Sequence, residues 1–179
     1  MFEEDNHSYF CCVKKILIIG CCGAGKSTLS KKLSTKLGLP VIHLDQAYWK
    51  PGWIETPKEE WECKIAELVK QLAYIMDGNY SGSLHLRLPS ADQVIILDYP
   101  TRICFWRVIK RIVKNLGVTR SDMTQGCPER FDLAFLHYVL VFNIVSRKKI
   151  YKKIRDTPHN ADLLVLKNDK EVNFYLAQL

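Results

Sequence analysis

The 179 residues are enough for one domain and leave no room for a second large one. Hydrophobic residues make up 47% of the chain, which supports a full buried core, and no apolar run is long enough for a membrane span, so no membrane protein is expected. The formal net charge of +7 suits nucleic acid or a small polyanion, and because no block of five or more basic residues occurs, a small phosphorylated ligand is favoured.

The cysteines and the first residues bear on the cellular compartment. The seven cysteines are an odd number without a CxxC pair, which predicts reduced thiols and no zinc site. Glu3, Glu4 and Asp5 give the first residues a negative charge, whereas a secretory signal peptide begins with a positive one. We therefore expect a cytoplasmic protein.

Short apolar runs alternate with helical patterns along the chain. We expect residues 1–12 to be a poorly ordered extension and residues 13–179 to form one domain. Strands are predicted at residues 13–19, 41–44, 74–76, 94–97 and 163–166. Helices are predicted at residues 27–37, 101–116, 129 to about 155 and 169–179. Because five strands alternate with helices, we expect parallel strands, right-handed crossovers and a three-layer α/β/α domain with a five-stranded parallel sheet.

A further helix is predicted after the second strand. Thr56, Pro57 and Glu59 form a capping box with proline at the first helical position. The apolar face of this helix is expected to bury Trp61, Ile65, Leu68, Val69 and Leu72.

The segment between the first strand and the first helix matches the phosphate-loop pattern GxxxxGK[ST] in full, and the strand and helix on either side are the context that the pattern requires. Its residues are Gly20, Cys21, Cys22, Gly23, Ala24, Gly25, Lys26 and Ser27, with Thr28 next. Glycines let backbone N–H groups turn toward phosphate oxygens, and the helix N-terminus attracts the same anion. Lys26 is expected to reach the β- and γ-phosphates of ATP, and Ser27 to bind Mg²⁺. The motif thus predicts a P-loop NTPase fold that binds ATP and Mg²⁺.

Two of the loop positions are cysteines. The helix N-terminus and Lys26 would lower the pKa of the Cys21 and Cys22 thiols, which is one interpretation. The favoured interpretation is that both cysteines fill variable positions of the loop, because the chain offers no evident resolving partner.

Two carboxylates follow predicted strands. Asp77 stands at the end of the third strand, where ligands of open α/β sheets bind, and is predicted to hold Mg²⁺ through water; an ordinary Asp-Gly turn is the alternative. Asp45 follows the second strand and would face the same crevice, where a carboxylate accepts the proton of an attacking hydroxyl. The alternative for Asp45 is a loop-capping role.

Several longer strings resemble a known group of proteins. The strings are His43-Leu44-Asp45, Tyr48-Trp49-Lys50-Pro51-Gly52-Trp53, Asp77-Gly78-Asn79-Tyr80, Thr119-Arg120-Ser121-Asp122-Met123 and Gly126-Cys127-Pro128-Glu129-Arg130-Phe131. They resemble the bacterial group labelled "DNA topology modulation protein", which looks like the adenylate-kinase-like branch of P-loop kinases, and the resemblance runs from about Lys14 to Leu179. Asn79-Tyr80 replaces the Phe-Pro-Arg that serves AMP in adenylate kinases, so AMP is not implied as the acceptor.

The resemblance implies a lid over the phosphates, at about residues 116–130 and bordered by helices. It makes Arg107 and Arg111 candidates for binding ATP, and Arg120 and Arg130 candidates for catalysis. Planar guanidinium groups suit the spread charge of a phosphoryl-transfer transition state. The alternatives are a solvated helix face for the first pair and a basic surface loop for the second.

Two further residues are candidates for the acceptor side. Arg87 follows the Asp77 turn and would bind an acceptor anion. Trp49 lies in an aromatic segment that should face the crevice and would stack on a ring, or else pack within a mobile flap.

These features predict a small-molecule kinase, with ATP, Mg²⁺ and a small-molecule acceptor as partners. Lys26, Asp45, Arg120 and Arg130 would be catalytic. The rival is a P-loop ATPase or nucleotide-dependent binding protein that acts on DNA or on a protein partner; nucleic acid is the less favoured partner, because no groove-reading motif occurs. The oligomeric state and the acceptor are not predicted.

Overall fold

The structure, a computed structural model, describes residues 14–179. The extension predicted at residues 1–12 lies outside this range, as does Val13, the first residue of the first predicted strand.

A parallel sheet forms the centre of the domain. The strands are β1 (Lys15–Gly20), β2 (Val41–His43), β3 (Trp49–Lys50), β4 (Ile54–Glu55), β5 (Tyr74–Asp77), β6 (Gln93–Leu97) and β7 (Asp162–Leu166). Five of them pair in parallel in the order β2-β5-β1-β6-β7, while β3 and β4 form a separate antiparallel hairpin. The predicted five-stranded parallel sheet is therefore confirmed, and the hairpin is an addition.

The inner strands are buried on both faces. In β1 the four residues from Ile16 to Ile19 are 0% exposed, and all of β6 is buried as well. Unbroken apolar runs of this kind are typical of parallel strands that helices cover on either side.

Helices connect the strands. They are α1 (Lys26–Leu37), α2 (Leu44–Tyr48), α3 (Lys58–Leu68), α4 (Leu84–Arg87), α5 (Thr101–Asn115), α6 (Leu133–Val141), α7 (Ser146–Asp156) and α8 (Asp169–Ala177). Short 3-10 turns, Ser81–Ser83 and Leu88–Ser90, flank α4.

The prediction of one continuous helix from residue 129 to about 155 is wrong, because two shorter helices occupy this range. Asp132 caps α6 by accepting a hydrogen bond from the Phe135 amide, so the helix begins four residues later than predicted. A turn then separates α6 from α7, where Asn143 donates to the Tyr99 carbonyl and the Arg147 amide bonds to the Phe142 carbonyl. These contacts redirect the chain inside a continuously apolar stretch.

The helix predicted after Thr56 begins as expected but ends early. The α3 helix ends at Leu68, and Leu72, predicted to be buried, is 89% exposed. The capping box is also wrong, because the Thr56 hydroxyl donates to the Tyr48 carbonyl and no side chain caps the helix. Trp61 and Ile65 are buried as predicted.

The carboxyl ends of the strands place the candidate residues at one edge of the sheet. β1 runs into the phosphate loop, β2 leads to Asp45, and β5 ends at Asp77. No helix within residues 14–179 is both long and apolar enough to cross a membrane.

Candidate functional site

The phosphate loop joins β1 to α1 and has the backbone conformation that the motif requires. Gly23 has a φ of +82° and Gly25 a φ of +96°, which is the left-handed region that suits glycine. Lys26 begins α1, and its ammonium group donates to the carbonyls of Gly20 at 2.9 Å and Cys21 at 3.2 Å. The Lys26 ammonium group thus lies against the phosphate loop.

A cavity of about 530 Å³ opens over this loop. It brings together most of the candidates from the sequence: Cys22, Gly23, Ala24, Gly25, Lys26, Ser27, Thr28, Asp45, Asp77, Arg107, Arg111 and Arg120. Three charged residues to which the sequence analysis assigned no role line it too, namely Lys32, Asp122 and Asp169. The cavity thus combines a helix N-terminus with cationic side chains, which suits a polyphosphate.

The three arginines in the cavity already hold carboxylates. Arg107 contacts Asp169 at 2.6 Å and lies over the Tyr99 ring. Arg111 and Arg120 both contact Glu129, each at 2.9 Å, and the Glu129 side chain is only 5% exposed. Since two guanidinium groups share one buried carboxylate, Glu129 fixes their positions relative to each other.

Asp122 links this network to the phosphate loop. It contacts Arg120 at 3.0 Å and also interacts with the Ser27 hydroxyl. Burial raises the pKa of Asp122, but the Arg120 charge and the Ser27 hydrogen bond outweigh it and hold the pKa below its ordinary value. The sequence analysis missed Asp122 and Glu129, although both stand in the strings that carry the family resemblance.

Arg130 and Trp49 lie away from the cavity. Arg130 is 57% exposed, pairs with Asp132 at 3.3 Å and lies over the Trp53 ring. Trp49 packs edge-on against Trp53 and Tyr48 in the β3–β4 hairpin. The structure thus does not bring Arg130 to the phosphates, and for Trp49 it favours packing within the flap.

The prediction that Arg87 binds an acceptor anion is wrong. Its side chain is fully buried and donates to the carbonyls of Gly78 at 3.3 Å, Asn79 at 2.6 Å and Tyr80 at 3.1 Å. Burial lowers its pKa to about 10, so the cation persists at neutral pH. Arg87 holds the loop after Asp77 and does not reach the cavity.

Asp77 borders the cavity but is already bonded. Its carboxylate accepts from the Ser30 hydroxyl at 2.9 Å and contacts His43 Nδ1 at 2.9 Å. Burial lowers the pKa of His43, yet the Asp77 hydrogen bond and charge outweigh it and raise the pKa above its ordinary value. The sequence analysis assigned no partner to His43. No cluster of three or more His, Cys, Asp or Glu that would hold a metal by itself occurs within residues 14–179.

The thiols of the phosphate loop are not acidified. A hydrogen bond with Cys104 together with burial raises the pKa of Cys21, and burial raises that of Cys22. Cys21 is also 1% exposed. The interpretation that these cysteines fill variable positions is therefore favoured.

Asp45 lies at the first turn of α2 and lines the cavity. It is half-buried and accepts a hydrogen bond from the Tyr80 hydroxyl at 2.6 Å. Burial and the Asp45 charge raise the pKa of Tyr80, so the tyrosine stays neutral and donates.

The lid, residues 116–130, is irregular between its two bordering helices. It is docked on the flap, residues 45–55, through several hydrogen bonds. The Thr124 hydroxyl donates to the Trp49 carbonyl at 2.8 Å. The Gly52 amide donates to the Gly126 carbonyl at 2.9 Å. The Trp53 Nε1 group donates to the Pro128 carbonyl at 3.1 Å. The predicted lid and the flap thus pack on each other, and Asp45 of the flap and Arg120 and Asp122 of the predicted lid line the cavity.

We expect the lid to become protected when nucleotide binds, because Arg120 and Asp122 lie in the cavity and would exchange contacts with phosphates. Hydrogen exchange of lid amides, with and without a non-hydrolysable ATP analogue, measures this. Slower exchange in residues 118–128 is the expected result, and the outward-facing α7 helix serves as an internal reference. Equal exchange in both states would contradict the role of a lid.

Comparisons with known proteins agree with this geometry. A family model described as an AAA domain matches residues 16–113, more than half of the chain. No curated protein matches the sequence.

Solved kinase structures share the fold at low sequence identity. Shikimate kinase from Acinetobacter baumannii, in complex with shikimate, is 16% identical with a TM-score of 0.55, over 97% of this chain and 93% of that one. A sugar kinase from Janibacter sp. is 16% identical with a TM-score of 0.52, over 93% and 94%. Deoxyadenosine kinase from M. mycoides with bound dATP is 17% identical with a TM-score of 0.50, over 92% and 98%. The chain therefore has the α/β fold of P-loop kinases.

Proposed function

The chain belongs to the AAA domain family, and on that premise we propose that it is a phosphotransferase that moves the γ-phosphoryl group of ATP to a small-molecule acceptor. The observation that carries the proposal is the cavity of about 530 Å³ that Lys26 and Ser27 line together with three arginines and Asp45. A nucleotide-binding protein without transfer chemistry needs the phosphate loop, but it has no need of a carboxylate beyond the γ-phosphate.

The phosphates of ATP would lie at the N-terminus of α1. Backbone N–H groups from Gly23 to Ser27 and the helix dipole stabilise the negative charge there. Lys26 would leave the loop carbonyls and contact the β- and γ-phosphates. Arg107, Arg111 and Arg120 neutralise the charge that spreads over the phosphoryl oxygens in the transition state.

Magnesium would bind beside Ser27. Mg²⁺ keeps several waters and takes its remaining ligands from phosphates and one or two protein oxygens, so the lack of an all-protein cluster does not conflict with it. The Ser27 hydroxyl and the Asp122 carboxylate adjoin each other, and Asp77 borders the same cavity. When bound, the ion supplies charge neutralisation for the phosphates, and the Asp77 carboxylate would act through water, as its bonds to Ser30 and His43 persist.

Asp45 would be the general base. A half-buried carboxylate with one oxygen bonded to Tyr80 has its other oxygen available for the acceptor hydroxyl. Arg130 would act only if the lid moved far enough to bring it to the phosphates. The narrower group "DNA topology modulation protein" and a cytoplasmic location stay predictions.

The test is the fate of γ-labelled ATP incubated with the protein and a metabolite extract. We expect label in a small organic product, none of it with Lys26→Ala, and no rise in free phosphate when duplex or single-stranded DNA is added at near-physiological salt. The physical reason is that the three arginines of the cavity already have carboxylate partners, so non-specific DNA contacts would be weak and sensitive to salt. A large DNA-dependent rise in hydrolysis that Lys26→Ala removes would favour the ATPase alternative.

A further inference from the structure

The acceptor end of the cavity is built around one carboxylate. Asp45 lines the cavity near Gly78, and the Tyr80 hydroxyl donates to its Oδ1 at 2.6 Å. Within residues 14–179, Oδ2 of Asp45 accepts no hydrogen bond and no cation pairs with this carboxylate. A ligand group that enters this end therefore meets a hydrogen-bond acceptor with a negative charge.

Arg87, the cation nearest to Tyr80 in sequence, holds the loop that follows Asp77. Arg87 is 0% exposed, and its guanidinium group holds the carbonyls of Gly78, Asn79 and Tyr80. Tyr80 has a φ of +30°, a conformation that a tyrosine rarely adopts without such support. Arg87 thereby positions the Tyr80 hydroxyl on Asp45 and has no contact with the cavity.

The cations of the flap and of its partner helix are also paired. Lys50 contacts Glu60 at 2.7 Å, and Lys64 contacts the same carboxylate at 3.0 Å. These two lysines share the Glu60 carboxylate as their counter-ion. They are partly exposed and do not line the cavity.

The lid arginines have partners as well. Arg120 is held by Asp122 at 3.0 Å and by Glu129 at 2.9 Å. Arg130 pairs with Asp132 outside the cavity. None of the described arginines and lysines forms an ion pair with Asp45. Of the two lysines that line the cavity, Lys26 contacts carbonyls of the phosphate loop and Lys32 interacts with Asp169.

We propose that the acceptor is an uncharged hydroxyl compound, such as a nucleoside or a sugar, and carries no phosphate or carboxylate of its own. This inference rests on the proposed kinase function. An anionic group beside Asp45 would lose its water and face a like charge, since Lys26 would be engaged by the ATP phosphates and the cavity arginines have carboxylate partners. A hydroxyl, in contrast, donates to Oδ2.

The chemical step balances with the groups present. The acceptor oxygen forms a bond to the γ-phosphorus, and the bond from that phosphorus to the β–γ bridging oxygen breaks, leaving its electron pair on ADP. The proton of the acceptor hydroxyl passes to the Asp45 carboxylate. Tyr80 stays protonated throughout and keeps Asp45 oriented.

The experiment uses matched pairs of acceptors with Mg²⁺ and γ-labelled ATP. Each pair consists of a neutral compound and an anionic derivative of it: adenosine and AMP, thymidine and its monophosphate, ribose and ribose 5-phosphate, glucose and gluconate. Labelled product is separated and counted, and nucleotide binding is measured in parallel. We expect transfer to a neutral member at a rate at least about tenfold above that of its anionic partner, which corresponds to about 1.4 kcal/mol.

Two variants separate chemistry from folding. Asp45→Asn keeps the shape and should lower transfer about 100-fold or more while nucleotide binding persists. Tyr80→Phe keeps the ring contacts with Tyr48 and Trp61 and should lower transfer about tenfold. Both variants should lower the rate of phosphoryl transfer, and neither should change the affinity for the nucleotide.

The outcomes separate the two proposals. Preferred transfer to an anionic member would overturn the neutral acceptor and leave the kinase function intact. Transfer in wild type that Asp45→Asn leaves unchanged would equally overturn it. Nucleotide binding without labelled product from any compound, in the pairs or in the extract, would overturn the kinase function and this inference with it.

Discussion

Lys26→Ala should weaken ATP binding about 100-fold or more. The ammonium group stands at the start of α1 and donates to the Gly20 and Cys21 carbonyls, both within the phosphate loop. With ATP it forms charge-assisted contacts, each of which contributes up to about 3 kcal/mol, or roughly two factors of ten in affinity. Isothermal titration of ATP and Mg²⁺ at constant ionic strength measures the change.

Lys36→Ala is the matched control. Lys36 lies in the last turn of the same helix, is exposed and does not line the cavity, so its removal changes the net charge equally. Its ATP affinity should stay within about twofold of wild type, because a distant exposed charge is screened by salt. Equal affinity of Lys26→Ala and wild type would mean that ATP binds elsewhere.

Gly23→Ala should destabilise the fold and remove ATP binding. A Cβ at this position would lie 2.3 Å from the Cys104 carbonyl oxygen and 3.0 Å from Val108 Cγ2, and the φ of +82° is strained for alanine. The obstacle is the backbone of α5, which cannot move as a flexible side chain does. Overpacking and left-handed strain together suggest a loss of about 2–5 kcal/mol in the free energy of unfolding.

Gly25→Ala separates the steric overlap from the strain. Gly25 has a similar φ of +96°, but a Cβ there meets nothing within 4 Å. Its loss should be only the conformational cost of about 1–2 kcal/mol. Urea unfolding of the two variants beside wild type gives the comparison. An equal loss in the free energy of unfolding for both variants would mean that the close contact between the phosphate loop and α5 does not add to the cost of Gly23→Ala.

Much of the fold was predictable because the relevant signals are local. The residues from Ile16 to Ile19 form an unbroken apolar run that ends at the phosphate loop, and this pattern specifies a buried strand without knowledge of its neighbours. The break between α6 and α7 was not predictable in the same way. It depends on Asn143, whose side chain bonds to a carbonyl 44 residues earlier in the chain.

The candidate site likewise contains residues that local sequence signals identify and residues whose position depends on distant contacts. Lys26 and Ser27 were found from eight consecutive residues, since the loop geometry and the helix N-terminus are both encoded there. Arg87 and Arg111 look alike in sequence, and yet one is sealed against carbonyls and the other lines the cavity. Nothing in the residues next to either arginine distinguishes them.

The sequence by itself determined the strand, loop and helix that bind phosphate, because backbone conformation there follows from glycine positions and helix initiation within a short segment. Only the tertiary structure decided which charges meet: Glu129 between Arg111 and Arg120, and His43 with Asp77. Charge partners of this kind come from separate elements, and their pairing depends on how those elements pack and exclude water. For this reason the phosphate site is evident from the spacing of its residues, while the proposal of an uncharged acceptor depends on the contacts that Asp45 makes and lacks in the tertiary structure.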